Sequence, residues 1–90
     1  MLPGFEWDED KRAANLAKHR RDFEEVVALF GLRFWERRSQ YADEERWLDT
    51  GDIDDDRVTI IFTWRDGRRR IISARAARTG EYNGYRHLYP

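Results

Sequence analysis

The basic side chains of this chain divide by position and by type. Residues 1–56 carry sixteen acids and nine bases, a balance of −7, whereas residues 57–90 carry two acids and eight arginines, a balance of +6. No lysine occurs in that second part. A guanidinium binds phosphate through two parallel N–H bonds, where an ammonium offers a point charge. An arginine-only basic half therefore suits a polyanionic ligand. Two halves that simply attract each other explain the same balance, and composition alone slightly favours that plainer reading. For proton transfer the candidate is His19, because an unperturbed imidazole titrates near neutrality. A histidine at a helix end also caps the last carbonyls, so both roles stand open. The chain has no cysteine and only one other histidine, His87. That excludes disulfides, thiolate catalysis and the usual cysteine or histidine metal sites.

These side chains need a scaffold, and ninety residues suffice for one domain with one core. Phe5-Glu6-Trp7 alternates like an edge strand. Asp8 suits an N-cap for a helix running to about His19, with Ala13, Leu16 and Ala17 as a narrow apolar stripe and Lys11, Asn15, Lys18 and His19 on a polar one. Asp22 is a second N-cap candidate. Phe23, Val26, Val27 and Phe30 follow at helical spacing, and Gly31 is placed to end that helix. Four strands are expected next: Leu32–Arg37, Glu45–Thr50 ending at Gly51, Arg57–Trp64 and Arg68–Arg75. A turn at 41–44, an acidic loop at 52–56 and an Asp66-Gly67 hairpin signal separate them. Val58, Ile60, Phe62 and Trp64 should share the buried face of the third of these, with Thr59, Ile61 and Thr63 opposite. A short last helix is expected after Ala76, although Gly80 and Gly84 weaken it. The sum is a single α+β domain over 1–90: a short N-terminal strand, two helices, a four-stranded antiparallel meander and a short C-terminal helix. No apolar run is long enough to span a bilayer, and the acidic N-terminus is unlike a signal peptide, so a cytoplasmic protein is expected.

Several fragments resemble the BrnT family of toxins. They are Phe5-Glu6-Trp7-Asp8 with Lys11, Asn15 and Lys18-His19; Phe23; Glu45-Arg46-Trp47 with Gly51; and Arg70-Ile71-Ile72-Ser73-Ala74-Arg75 followed by Ala77, Glu81 and Tyr85. They extend in order over nearly the whole chain. The resemblance implies a RelE-like fold and an RNA-cleaving toxin of a type II toxin–antitoxin pair, neutralised by a BrnA-like antitoxin that carries the DNA-binding module. Contact with DNA would then be indirect. The family usually places Gly directly after the Lys-His pair, where this chain has Arg20. Its final segment, from Gly80 on, is also richer in glycine than the family's polar helix.

Metal-independent RNA cleavage needs a base for the ribose 2′-OH, cations for the phosphorane and an acid for the leaving oxygen. With the resemblance included, His19 as proton carrier and His19 as helix cap are about equally supported. His19, Glu45 and Arg75 are the catalytic candidates. Lys18, Arg46, Arg70, Ser73 and Tyr85 are the RNA-binding candidates, Tyr85 by stacking or hydrogen bonding. In a regular strand Ile71, Ser73 and Arg75 share one face and Arg70 takes the other. Glu45 and Arg46 likewise point apart, and a structural Glu–Arg pair is as good a reading of them as catalysis. Trp7, Trp35, Trp47 and Trp64 are expected mostly in the core or facing an antitoxin, Trp64 in the core. No cofactor or metal is expected. A family member with a decayed site that only binds its antitoxin is the alternative. A direct nucleic-acid binder acting alone as a regulator is disfavoured, because no helix-turn-helix with a basic recognition helix is visible and the Phe23 helix is acidic.

Overall fold

The computed structural model describes residues 3–90. Its elements are β1 (Phe5–Glu6), α1 (Glu9–His19), α2 (Phe23–Val26), a 3₁₀ turn (Val27–Gly31), β2 (Trp35–Tyr41), β3 (Glu44–Ile53), β4 (Asp56–Arg65), β5 (Arg68–Ala76) and α3 (Thr79–Leu88). They form an α+β domain around one five-stranded sheet ordered β1-β5-β4-β3-β2. The expected four-stranded meander is present, but β1 joins it in parallel with β5, so the sheet is mixed. The expected second helix breaks after one α-turn into the tighter 3₁₀ turn. The acidic loop contracts to Asp54-Asp55, because β3 continues through Gly51 to Ile53. Gly51 lies inside a strand for a steric reason: a Cβ there would meet the Arg33 carbonyl at 2.6 Å and Leu29 Cδ1 at 2.7 Å.

Local signals set the ends of the elements. Asp8 accepts from the Asp10 and Lys11 amides, and Asp22 from the Glu24 amide. Asp66 and Gly67 both have positive φ, as a two-residue hairpin requires. Arg20 takes the left-handed conformation, φ 59°, and its amide reaches the Leu16 carbonyl. The turn after α1 is therefore the one a glycine would make, at a cost of about 1 kcal/mol for a residue with a Cβ.

One face of the sheet carries the core. Val58, Ile60, Phe62, Ile71 and Ala74 pack against Trp7, Phe23, Val26, Val27 and Leu29. Trp64 departs from this pattern: it lies at the hairpin end beyond the helices, 45% exposed, under the Arg69 guanidinium. α3 crosses one end of the opposite face. Gly84 sits against the Trp35 ring so closely that a Cβ would fall 2.2 Å from it, so the residue that weakens this helix in isolation is the one that lets it dock.

A buried acid adds a pH dependence. Asp49 is fully buried on the core face opposite Glu36, and neither of its carboxyl oxygens meets a hydrogen-bond donor. Burial first, then the neighbouring Glu36, push Asp49 well above the usual carboxylate range. A folded pKa above the unfolded one means that the stability present below about pH 4 is lost as pH rises towards the raised value. Asp49→Asn should remove this loss. Urea unfolding at pH 8 is expected to show the variant more stable by on the order of 1–3 kcal/mol, with the gap closing towards pH 4. Parallel pH profiles would contradict this.

Candidate active site

α1 lies along the part of β5 that β1 leaves unpaired, and it docks through a polar residue. Asn15 is buried. Its side-chain oxygen accepts from the Ala74 amide at 3.1 Å, and its nitrogen donates to the Ala74 carbonyl at 2.9 Å and to the Arg21 carbonyl at 2.9 Å. One side-chain amide thus stands in for a neighbouring strand and closes the sheet edge. This reverses the orientation expected from the apolar stripe, since Leu16 is 43% exposed and Ala13 and Ala17 face outward with it.

The docking of Asn15 sets His19, one helical turn on, beside β5. Lys11, Ala14, Asn15, Lys18, His19, Ile72 and Ser73 line one open cleft of about 300 Å³. The Ser73 hydroxyl donates to the Asn15 oxygen at 3.2 Å, which fixes it at the cleft floor. Other groups satisfy the helix end: Arg20 N–H reaches the Leu16 carbonyl, and Arg21 donates to the His19 carbonyl at 2.9 Å and pairs with Asp56. No hydrogen bond to the His19 ring is found among the described residues, so its nitrogens are left for other partners. Partial burial, then the charges of Lys18, Arg21 and Arg75, lower the His19 pKa below its ordinary value. At neutral pH its imidazole is neutral and able to accept a proton.

The pairing of β4 with β5 contains a bulge. Ile61 pairs with Ser73 and Phe62 with Ile71, which leaves Ile72 without a partner. The bulge turns Ile71 into the core. It places Arg70, Ser73 and Arg75 on one face, opposite Thr63, Ile61 and Thr59 respectively, where a regular strand would have separated Arg70 from Arg75. Arg70 is nonetheless engaged with Glu6 at 2.9 Å.

Arg75 belongs to a cluster that local sequence signals do not announce. Glu81 of α3 accepts two bonds from Arg75 at 2.7 and 3.0 Å. It accepts others from Arg37 at 3.1 Å, Thr59 at 3.0 Å and the Arg78 amide at 2.9 Å. Thr50 joins through Thr59 at 2.6 Å and through Arg37 at 3.1 Å. Burial pushes Glu81 up, but the bonds from Arg75, the Arg78 amide and Thr59 outweigh it and hold Glu81 at about 2. Arg37 and Glu81 were not among the site residues expected from sequence. The only advance signal was the place of Glu81 in the C-terminal family fragment.

The remaining candidates lie elsewhere. Glu45 is on β3 and pairs with Arg38, and Arg46 pairs with Glu44 at 3.0 Å and stacks over Tyr41. Register puts Glu45 about five residues and two strands from Arg75, roughly 15–20 Å, and on the other face. Tyr85 is buried beneath α3 between Tyr82 and Tyr89 and lines a different recess, with Leu32, Arg33 and Asp52. The structure thus brings together His19, Lys18 and Ser73, with Arg75 close enough for its charge to act on His19. Arg46 and Tyr85 lie apart, as does Glu45.

No curated protein matches the chain. A family model does, and its span includes both the α1–β5 cleft and the Glu81 cluster. Residues 7–81 match the model described as the ribonuclease toxin BrnT of type II toxin–antitoxin systems, and the chain belongs to that family.

Proposed function

We propose that this protein is a toxin that cleaves RNA without a metal, inhibits translation and growth, and is held inactive by a BrnA-like antitoxin in the cytoplasm. The observation that carries this reading is the α1–β5 cleft, where a neutral imidazole stands among Lys11, Lys18 and the fixed Ser73 hydroxyl. In the proposed reaction His19 takes the 2′-OH proton, and the 2′-oxygen attacks the adjacent phosphorus. Lys18 and the charge of Arg75 stabilise the phosphorane while Ser73, its proton held by Asn15, shapes the cleft floor, and the protonated imidazole or water returns a proton to the leaving 5′-oxygen as the phosphorus–oxygen bond breaks. Arg70 lies on the same face of β5 and suits the RNA backbone beyond the cleft. Glu45, Arg46 and Tyr85 have no part in this chemistry. DNA contact is assigned to the antitoxin, because the toxin's α2 is a short acidic turn.

Induced expression in a bacterial host tests the reading, with wild type set against a His19→Ala/Arg75→Ala double variant. Growth arrest and RNA loss confined to the wild type are expected. Arrest by both proteins would leave a toxin with its site elsewhere. If neither slows growth while both accumulate in soluble form, a decayed member that only binds its antitoxin is favoured.

A further inference from the structure

Beyond the cleft, the face of β5 that carries Ser73 and Arg75 continues past Arg70 to the β4–β5 hairpin. There Arg65 and Arg68 pair directly across the two strands, next to the Asp66-Gly67 turn. Both are exposed, and no salt bridge, side-chain hydrogen bond or aromatic contact to either is found among the described residues. Like charges set directly opposite across a strand pair repel each other. The tight turn, with both of its residues at positive φ, holds the two backbone positions opposite one another. A ligand with repeated negative charge would relieve the repulsion, and paired guanidinium forks suit phosphates. Arg69, next to Arg68 in sequence and on the other face, packs over Phe30, Phe62 and Trp64 and is not part of this pair.

We infer that Arg65 and Arg68 form a distal phosphate-binding subsite for single-stranded RNA, on the same face as the Ser73 floor of the cleft; the inference rests on the ribonuclease reading proposed above. From Arg68 to Ser73 the strand runs roughly 15 Å, farther than a dinucleotide spans. The subsite therefore engages longer RNA and leaves binding within the cleft unchanged. Anionic recognition by this pair depends on charge and spacing, so it holds the backbone without reading bases.

The test compares wild type with an Arg65→Gln/Arg68→Gln variant, using a 2′-O-methyl octamer for binding and unmodified octamer and dinucleotide for cleavage. Expected are a drop in octamer affinity on the order of tenfold and a salt dependence shallower by about 0.7 for each phosphate the variant no longer holds. Dinucleotide cleavage should be unchanged. Equal octamer affinity and equal salt dependence in both proteins would overturn the inference while leaving the ribonuclease reading in place. Polyglutamate of the same charge serves as the second probe. If it binds as tightly as the octamer and is weakened equally in the variant, the pair is a general site for acidic segments and the RNA assignment fails. A wild type that binds the octamer normally but cuts no RNA would overturn the ribonuclease reading alone. One that neither binds nor cuts RNA would overturn both.

Discussion

Replacing His19 with alanine is expected to lower the rate of RNA cleavage by about 10²–10⁴-fold, the usual contribution of a positioned acid–base group, while the protein stays folded. The structure separates the two effects. The helix end does not depend on the imidazole, because Arg20 N–H and the Arg21 guanidinium bond the last carbonyls. Stability should therefore change by less than about 1 kcal/mol, the scale of a helix-terminus charge. The wild-type pH–rate profile should lose activity on the acid side with an apparent pKa below that of a free histidine. Burial and the positive charges of Lys18, Arg21 and Arg75 all favour the neutral ring. Sedimentation and circular dichroism would confirm the fold. A folded His19→Ala protein within a few-fold of wild-type activity would remove His19 from the chemistry.

A second large effect is expected at Glu81, this time on stability. Glu81→Gln keeps the shape of the side chain but leaves Arg37 and Arg75 with no carboxylate between them. Removing one partner of a buried ion pair costs about 3–5 kcal/mol. All three side chains keep some exposure, 14–22%, so a loss of roughly 2–3 kcal/mol is the better expectation. The pH dependence follows from the lowered pKa. The contribution of Glu81 is complete above its unfolded value near 4.5 and is lost as pH falls towards about 2. The variant should lack that acid-side loss, and urea unfolding between pH 2 and 6 would show the difference. Hydrogen exchange should show α3 losing protection first, because Glu81 is its main polar tie to the sheet. Unchanged protection of Thr79–Leu88 together with unchanged stability would contradict this role.

Local signals made most of the fold legible. Asp8, Asp22 and Asp66-Gly67 sit at element boundaries because their chemistry acts within a few residues, and the strict alternation from Val58 to Phe62 marked the buried face of β4. The features that escaped depend on distant partners. Periodicity put Leu16 inward, yet the unpaired stretch of β5 needs a hydrogen-bonding group, so Asn15 points in and Leu16 out. Alternation continued the core to Trp64, but the helices end before that part of the hairpin. The Ile72 bulge has no mark of its own in the sequence, and it decides that Arg70 shares a face with Arg75. His19, Lys18 and Ser73 could be named from chemistry and family fragments. Their convergence, and the joining of Arg37 to Glu81 across 44 residues, rest on tertiary packing that no local pattern encodes.

The proposed reaction is metal-independent attack by the ribose 2′-oxygen with His19 as base. Its most direct test is cleavage of a single-stranded RNA by the purified protein in excess EDTA, with the ends of the products identified. The expected result is undiminished cleavage that leaves 2′,3′-cyclic phosphate and 5′-hydroxyl ends, and no cleavage where the attacking ribose is replaced by 2′-deoxyribose. Cleavage abolished by EDTA, or products with 5′-phosphate ends, would contradict it.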